Sequence, residues 1–136
     1  MAVDYGDART GIAISDESAT LIGETSVISK GSLKATAGAI AAEAVSRGVF
    51  VIVVGYPKNM NGTIGPRAEK SELLAKSIRS LCDVEVVLWD ERMTTVLANR
   101  ILSDAGKHGK KRKSTVDAVA ASLILESYLS YLSSKK

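Results

Sequence analysis

Three places in this chain hold acids whose spacing and surroundings could do chemistry. Asp90 and Glu91 stand side by side directly after "VEVVLW", with Arg92 next. Asp4 follows apolar residues in "MAVDYG", and Asp117 lies in "STVDAVAASLILESYL". A carboxylate at the end of a buried strand is costly unless something pairs with it. Carboxylates gathered without His or Cys suit a hard cation such as Mg²⁺ or Mn²⁺. Zinc is poorly served, because the one His and the one Cys, His108 and Cys82, are far apart in sequence.

Each acid also has a structural explanation. Asp4 can form a turn before Gly6. Asp90 or Glu91 can favour the start of a following helix, where backbone N–H groups attract negative charge. Ser114 to Asp117 has the S-x-x-D spacing of a capping box. The functional alternative needs the acids to share one edge of a sheet. In open α/β sheets ligands bind beyond the carboxyl ends of the strands. If the strands ending in Asp4 and in Asp90–Glu91 were neighbours, about 5 Å apart, one cation could bridge them. The residues alone leave open whether Asp90 or Glu91 would be the ligand.

Around these acids are candidate contacts for an anion. The stretch 107–113, "KHGKKRK", holds five bases and no acid, while residues 1–24 hold five acids against Arg9. The basic stretch reads as a loop, and a cationic loop beside acids can hold a polyanionic backbone. The loop "GYPKNMNGTIG", Gly55 to Gly65, supplies donors at Lys58, Asn59 and Asn61. Aromatic residues make up 4% of the chain, too few for extensive base stacking. The Gly-rich turn in "DYGDARTGIAISD" lets backbone approach a phosphate closely. Trp89 reads as core.

The elements that must position these residues follow from periodicity. "MAVDY", "GIAIS" and "LIGETSVIS" read as three strands of an antiparallel meander. Ser32 is a helix N-cap ahead of "LKATAGAIAAEAVSRG", whose apolar positions 33, 37, 40, 41, 44 and 45 fit a helix ending at Gly48. "VFVIVVG" reads as a central parallel strand buried on both faces. Pro66 opens a helix to about Leu81, with Leu73, Leu74, Ile78 and Leu81 inward. "VEVVLW" is the next strand, "TTVLANRILSDAG" a short helix, and "STVDAVAASLILESYLSYL" the last helix. Strands alternating with helices after a meander predict a mixed sheet with helices on both faces.

The 136 residues, 46% hydrophobic, suffice for one domain with a real core. A single Cys allows no intramolecular disulfide, which suits a reducing compartment. The apolar run around Val49 to Val54 is too short to span a bilayer. With no signal segment before the first strand, the expected location is the cytoplasm. A net charge of +3 does not by itself prove nucleic-acid binding.

The segments "VDYGDARTGIAISD", "VGYPKNMNGT", "DERMTT" and "KKRKSTVDAVAASLILESYL", in that order, resemble the YqgF family, also called RuvX. These are pre-16S rRNA nucleases similar to Holliday-junction resolvases, and the resemblance covers nearly the whole chain. It implies a single ribonuclease H-like domain over 1–136, with a five-stranded mixed sheet, the first three strands antiparallel, and helices on both faces. It implies an acidic site at Asp4, Glu91 and Asp117, with Asp90 adjacent as the competing ligand, binding Mg²⁺ or Mn²⁺. Such a nuclease would process the 5′ end of the 16S ribosomal RNA precursor or cut branched DNA. Arg9, Lys58, Asn59, Arg92, Lys110, Lys111, Arg112 and Lys113 would then contact nucleic acid. Ribosomal particles are further candidate partners, no membrane is implied, and the chain would be a monomer or a homodimer. Tyr56 departs from the family pattern, in which Leu is common at that point of the loop.

Two other functions fit parts of the sequence. A non-catalytic ribosome-assembly factor would need the basic stretch but not the acids. An actin-like ATPase would use "DYGDARTGIAIS" as a phosphate-binding hairpin, but such enzymes pair two domains around a cleft.

Overall fold

The computed structural model describes residues 1–6, 9–15, 22–29, 31–59, 61–90 and 109–134, the last including its first turns as backbone only. Strands β1 (Ala2–Tyr5), β2 (Thr10–Ser15) and β3 (Ile22–Ile28) are followed by α1 (Leu33–Ser46) and β4 (Val51–Tyr56). Then come α2 (Pro66–Leu81), β5 (Glu85–Asp90) and α3 (Gly109–Ser134). The expected short helix over 94–106 lies outside the described residues.

The five strands form one sheet in the order β3-β2-β1-β4-β5. β1 pairs antiparallel with β2, and β2 with β3. β4 runs parallel to β1, and β5 parallel to β4. The meander and the parallel extension are those expected. The neighbour relation needed to bring Asp4 directly beside Asp90 is not present, because β4 lies between β1 and β5. Two strand spacings, roughly 10 Å, separate the two backbones.

Alternation along each strand sorts the core into two layers. Val3, Ile12, Ile52, Val54 and Val86 point to α1 and α2, where Ile40, Leu74 and Ile78 meet them. Ala2, Ala13 and Val53 point the other way, to Ala121, Ile124 and Leu125 of α3. The small residues on that second face let α3 lie close to the sheet.

Local signals account for the helices. The Ser32 side chain accepts a hydrogen bond from the Ala35 amide at 3.0 Å and starts α1. Gly48 follows α1 at φ 66°, in the left-handed region where a side chain is strained. Pro66 opens α2, where its missing N–H costs nothing, and Glu69 sits in the first turn. On the surface, Arg47, the C-cap residue after α1, donates two hydrogen bonds of 2.5 and 2.9 Å to the Glu24 carboxylate of β3.

Three expectations about facing residues need correction. Leu73 and Leu81 are 56% and 53% exposed, and α2 instead buries Ala68, Ser71, Leu74, Ala75 and Ile78. The narrow buried stripe follows the 3.6-residue period, and Leu73 falls one step, about 100°, outside it. In α1, Val45 is likewise exposed. Phe50 lies before β4 rather than within it and is exposed.

Candidate nucleic-acid site at the carboxyl edge of the sheet

Asp4 stands one residue before the end of β1, half-buried, opposite Gly11 of β2. Its parity in the strand is that of Ala2, so it belongs to the α3 face. Gly6 then closes the turn. A Cβ there would lie 2.4 Å from the Arg9 carbonyl oxygen, so no side chain fits. Arg9 stands immediately before β2, whose first residue Thr10 pairs with Tyr5 at the end of β1.

Gly55 was not singled out from sequence. It pairs with Trp89, and the neighbouring Val54 pairs with Val3, so Gly55 comes level with Asp4 on the α3 face. A glycine in a β-branched strand is the signal that could have found it, since it marks close approach of a ligand or backbone. Gly55 places no side chain between the ends of β1 and β5 on that face, and it is itself buried.

Asp90 ends β5, half-buried and paired with Tyr56 of β4. Leu88 packs with the α1–α2 layer and Trp89 with the α3 layer. Alternation therefore carries Asp90 to the face opposite Asp4. Trp89 is a packing residue, as expected: its indole N–H donates to Ser127 Oγ at 3.2 Å and its ring meets Tyr128 edge-on at 5.3 Å. Glu91 and Arg92 lie outside the described residues.

The last helix begins earlier than its sequence suggested. α3 starts at Gly109, so Lys110, Lys111, Arg112 and Lys113 belong to its opening turns and not to a loop. Lys and Arg are good helix formers, and no Pro interrupts the run. Ser114 is thus inside the helix, and the capping-box reading of Ser114 to Asp117 does not describe its start. Leu125, Tyr128 and Leu129 lie with Met1, Val51 and Phe50, at the amino ends of β1 and β4. The basic turns are therefore directed toward the opposite edge, that of Asp4. Residue 117 is eight positions, about 12 Å of helix, nearer that edge than Leu125.

The β4–α2 loop is internally tied. The Asn59 amide donates to Thr63 Oγ1 at 2.9 Å, and the Thr63 hydroxyl donates to Asn61 Oδ1 at 2.7 Å. Asn59 thus donates, and Asn61 accepts through Oδ1, within the loop. Lys58 is half-buried, its ammonium 5.6 Å from the centre of the Tyr56 ring. Tyr56 itself is 8% exposed, and its hydroxyl donates to Glu72 Oε1 of α2. That bond, burial and the charges of Glu72 and Glu69 push the phenol up to about 12.

Among the described residues, no three His, Cys, Asp or Glu side chains converge on a point that could hold a metal. The donors near this edge are nevertheless carboxylate oxygens, the set a hard cation takes. Cys82 lies elsewhere, at the end of α2, with its thiol against the Ile78 carbonyl.

The sheet order, with helices on both faces, is that of a ribonuclease H-like α/β protein. A solved structure described as T. thermophilus RuvC in complex with Holliday junction substrate matches this fold. It covers 96% of this chain and 92% of its own, with a TM-score of 0.52 at 12% identity. The family RuvX, described as Holliday junction resolvase, matches residues 1–131. A protein of Ruminiclostridium cellulolyticum named "Putative pre-16S rRNA nuclease" is 42% identical over all of this chain and 96% of its own length. One of the same name from Halothermothrix orenii is 44% identical, over 96% of this chain and 94% of its own. The chain belongs to the RuvX family, a family of nucleases.

Proposed function

We propose that this chain is a metal-dependent endonuclease of structured nucleic acid, with the 5′ end of the 16S ribosomal RNA precursor as its principal substrate. The observation that carries the reading is Asp4. It is a half-buried carboxylate at the carboxyl edge of the sheet, on the α3 face, beside the side-chain-free Gly55. The name shared by relatives more than 40% identical favours the RNA substrate.

Asp4, Glu91 and Asp117 would hold Mg²⁺ or Mn²⁺, and their oxygen donors fit either ion. Asp90 is disfavoured as a ligand by its parity on the opposite face. A bound divalent ion would supply Lewis-acid polarisation of the phosphodiester and a more acidic attacking water. Arg9, Lys58, Arg92 and Lys110 to Lys113 would hold phosphates and fix the backbone across the strand ends. In this reading residues 1–136 form one domain acting in the cytoplasm. Among the described residues, no helix is long and apolar enough to cross a membrane.

The test is Asp4→Asn assayed on a 5′-extended 16S precursor fragment and on a four-way DNA junction. Cleavage of the RNA should be lost while binding survives. Cleavage of the junction alone by the wild type would make branched DNA the substrate. Unchanged cleavage by Asp4→Asn would remove Asp4 from the site.

A further inference from the structure

We propose that Tyr56 and Glu72 are positioning residues that fix the Lys58 ammonium as a phosphate contact at the carboxyl edge of the sheet. The inference rests on the nuclease reading of that edge. Lysine is a flexible chain, and a phosphate contact made by a freely moving ammonium loses much of its gain to ordering. Here the ammonium lies over a ring, at 5.6 Å from its centre. The ring cannot drift, because Tyr56 ends β4, is buried, and pairs with Asp90 of β5. Its far end is tied to α2 through the bond to Glu72. Donating that bond to a carboxylate enriches the ring in electron density, which strengthens its hold on a cation.

The loop enforces the same placement. The Lys58 amide donates back to the Tyr56 carbonyl at 3.0 Å, and Asn59 closes onto Thr63. Among the described residues no carboxylate forms an ion pair with Lys58. Tyr56 belongs to the α1–α2 side of the edge and Asp4 to the α3 side. A phosphodiester backbone laid across the ends of β1 and β4 would meet Lys58 on one side and Asp4 on the other. The residue chain Glu72–Tyr56–Lys58 thus sets where the substrate enters.

Glu72→Ala gives a test whose sign is diagnostic. Removing an exposed carboxylate should tighten binding of any polyanion if charge alone mattered. Positioning demands the reverse: binding of a fluorescent 5′-extended precursor RNA should weaken about threefold. Glu72→Gln, which keeps an acceptor for the Tyr56 hydroxyl, should restore it. Lys58→Ala should weaken binding and lower the slope of log K against log salt by about 0.7 to 0.9, one phosphate contact. Adding Glu72→Ala to Lys58→Ala should cause no further weakening. Unchanged or tighter binding by Glu72→Ala, in a variant whose melting matches wild type, would overturn the positioning role. So would effects that multiply in the double variant. Failure of the wild type to bind the RNA or a four-way junction would instead overturn the underlying nucleic-acid reading, and this proposal with it.

Discussion

At Asp4 and Asp90 the period of two along a strand decides more than residue type does. Both acids lie near the carboxyl ends of parallel strands at one edge, yet their parities send them to opposite faces. Asp4→Asn should therefore abolish cleavage, by more than about 100-fold, since even residues supporting a metal ligand cost 10–100-fold when changed. Asp90→Asn should retain most activity, measured by initial rates on the same substrate. Tyr56 offers a check that needs no substrate. Its phenol is raised from 10.0 to about 12, so the folded chain keeps a proton that the unfolded chain loses near pH 10. Between about pH 10 and 12 the unfolded state binds fewer protons, and this group's contribution to stability falls as pH rises. An ultraviolet titration of tyrosinate should show a late step near pH 12 that Tyr56→Phe removes.

Among the elements, α2 shows how a helix's buried face can be misjudged. Four large apolar residues in α2 looked equivalent, but only Leu74 and Ile78 lie on the stripe facing the sheet. Ile78→Ala should cost about 2–5 kcal/mol, the range for an Ile emptied from a close-packed core. Leu73→Ala, at a solvent-facing position, should stay within about 0.5 kcal/mol. Chemical denaturation of both variants would separate them. The β1–β2 turn is equally specific. Gly6→Ala places a methyl against the Arg9 carbonyl, and backbone there has no room to yield cheaply. The expected loss is about 1–3 kcal/mol, as for other forced overpacking, with reduced cleavage because Asp4 and Arg9 flank the turn.

For the whole molecule, what matters is which edge the charges share. A net charge of +3 is mild, but the bases of α3 open a helix directed toward the edge that carries Asp4. Four cations at a helix N-terminus are unfavourable for the helix, because the macrodipole is already positive there. The same arrangement attracts a polyanion. Changing Lys110, Lys111, Arg112 and Lys113 together to Gln should weaken RNA binding at low salt and cut the salt slope by roughly 3, read by titration at several ionic strengths. Treatment with EDTA should end cleavage without unfolding the sheet, with Mg²⁺ or Mn²⁺ restoring it. Melting followed by circular dichroism would show that the fold does not depend on the ion.

The amino-acid sequence by itself determined the elements and the family. Alternation, helical spacing, Ser32, Gly48 and Pro66 act over a few residues, so the strands and helices that they define were legible locally. The four motif segments, in order, carried the resemblance, because the residues at strand ends must stay in register with the fold. The order of strands was not legible in the same way. Whether β1 neighbours β4 or β5 depends on contacts some fifty residues apart, such as Val3 with Val54. Tertiary structure therefore decided that β4 separates Asp4 from Asp90, that Gly55 lies between them, and that their side chains part to opposite faces. It also decided that the basic residues belong to a helix and that Tyr56, a departure from the family pattern, anchors to Glu72. A sheet assembles side chains by pairing and packing between distant segments, and no local period records which segments will meet.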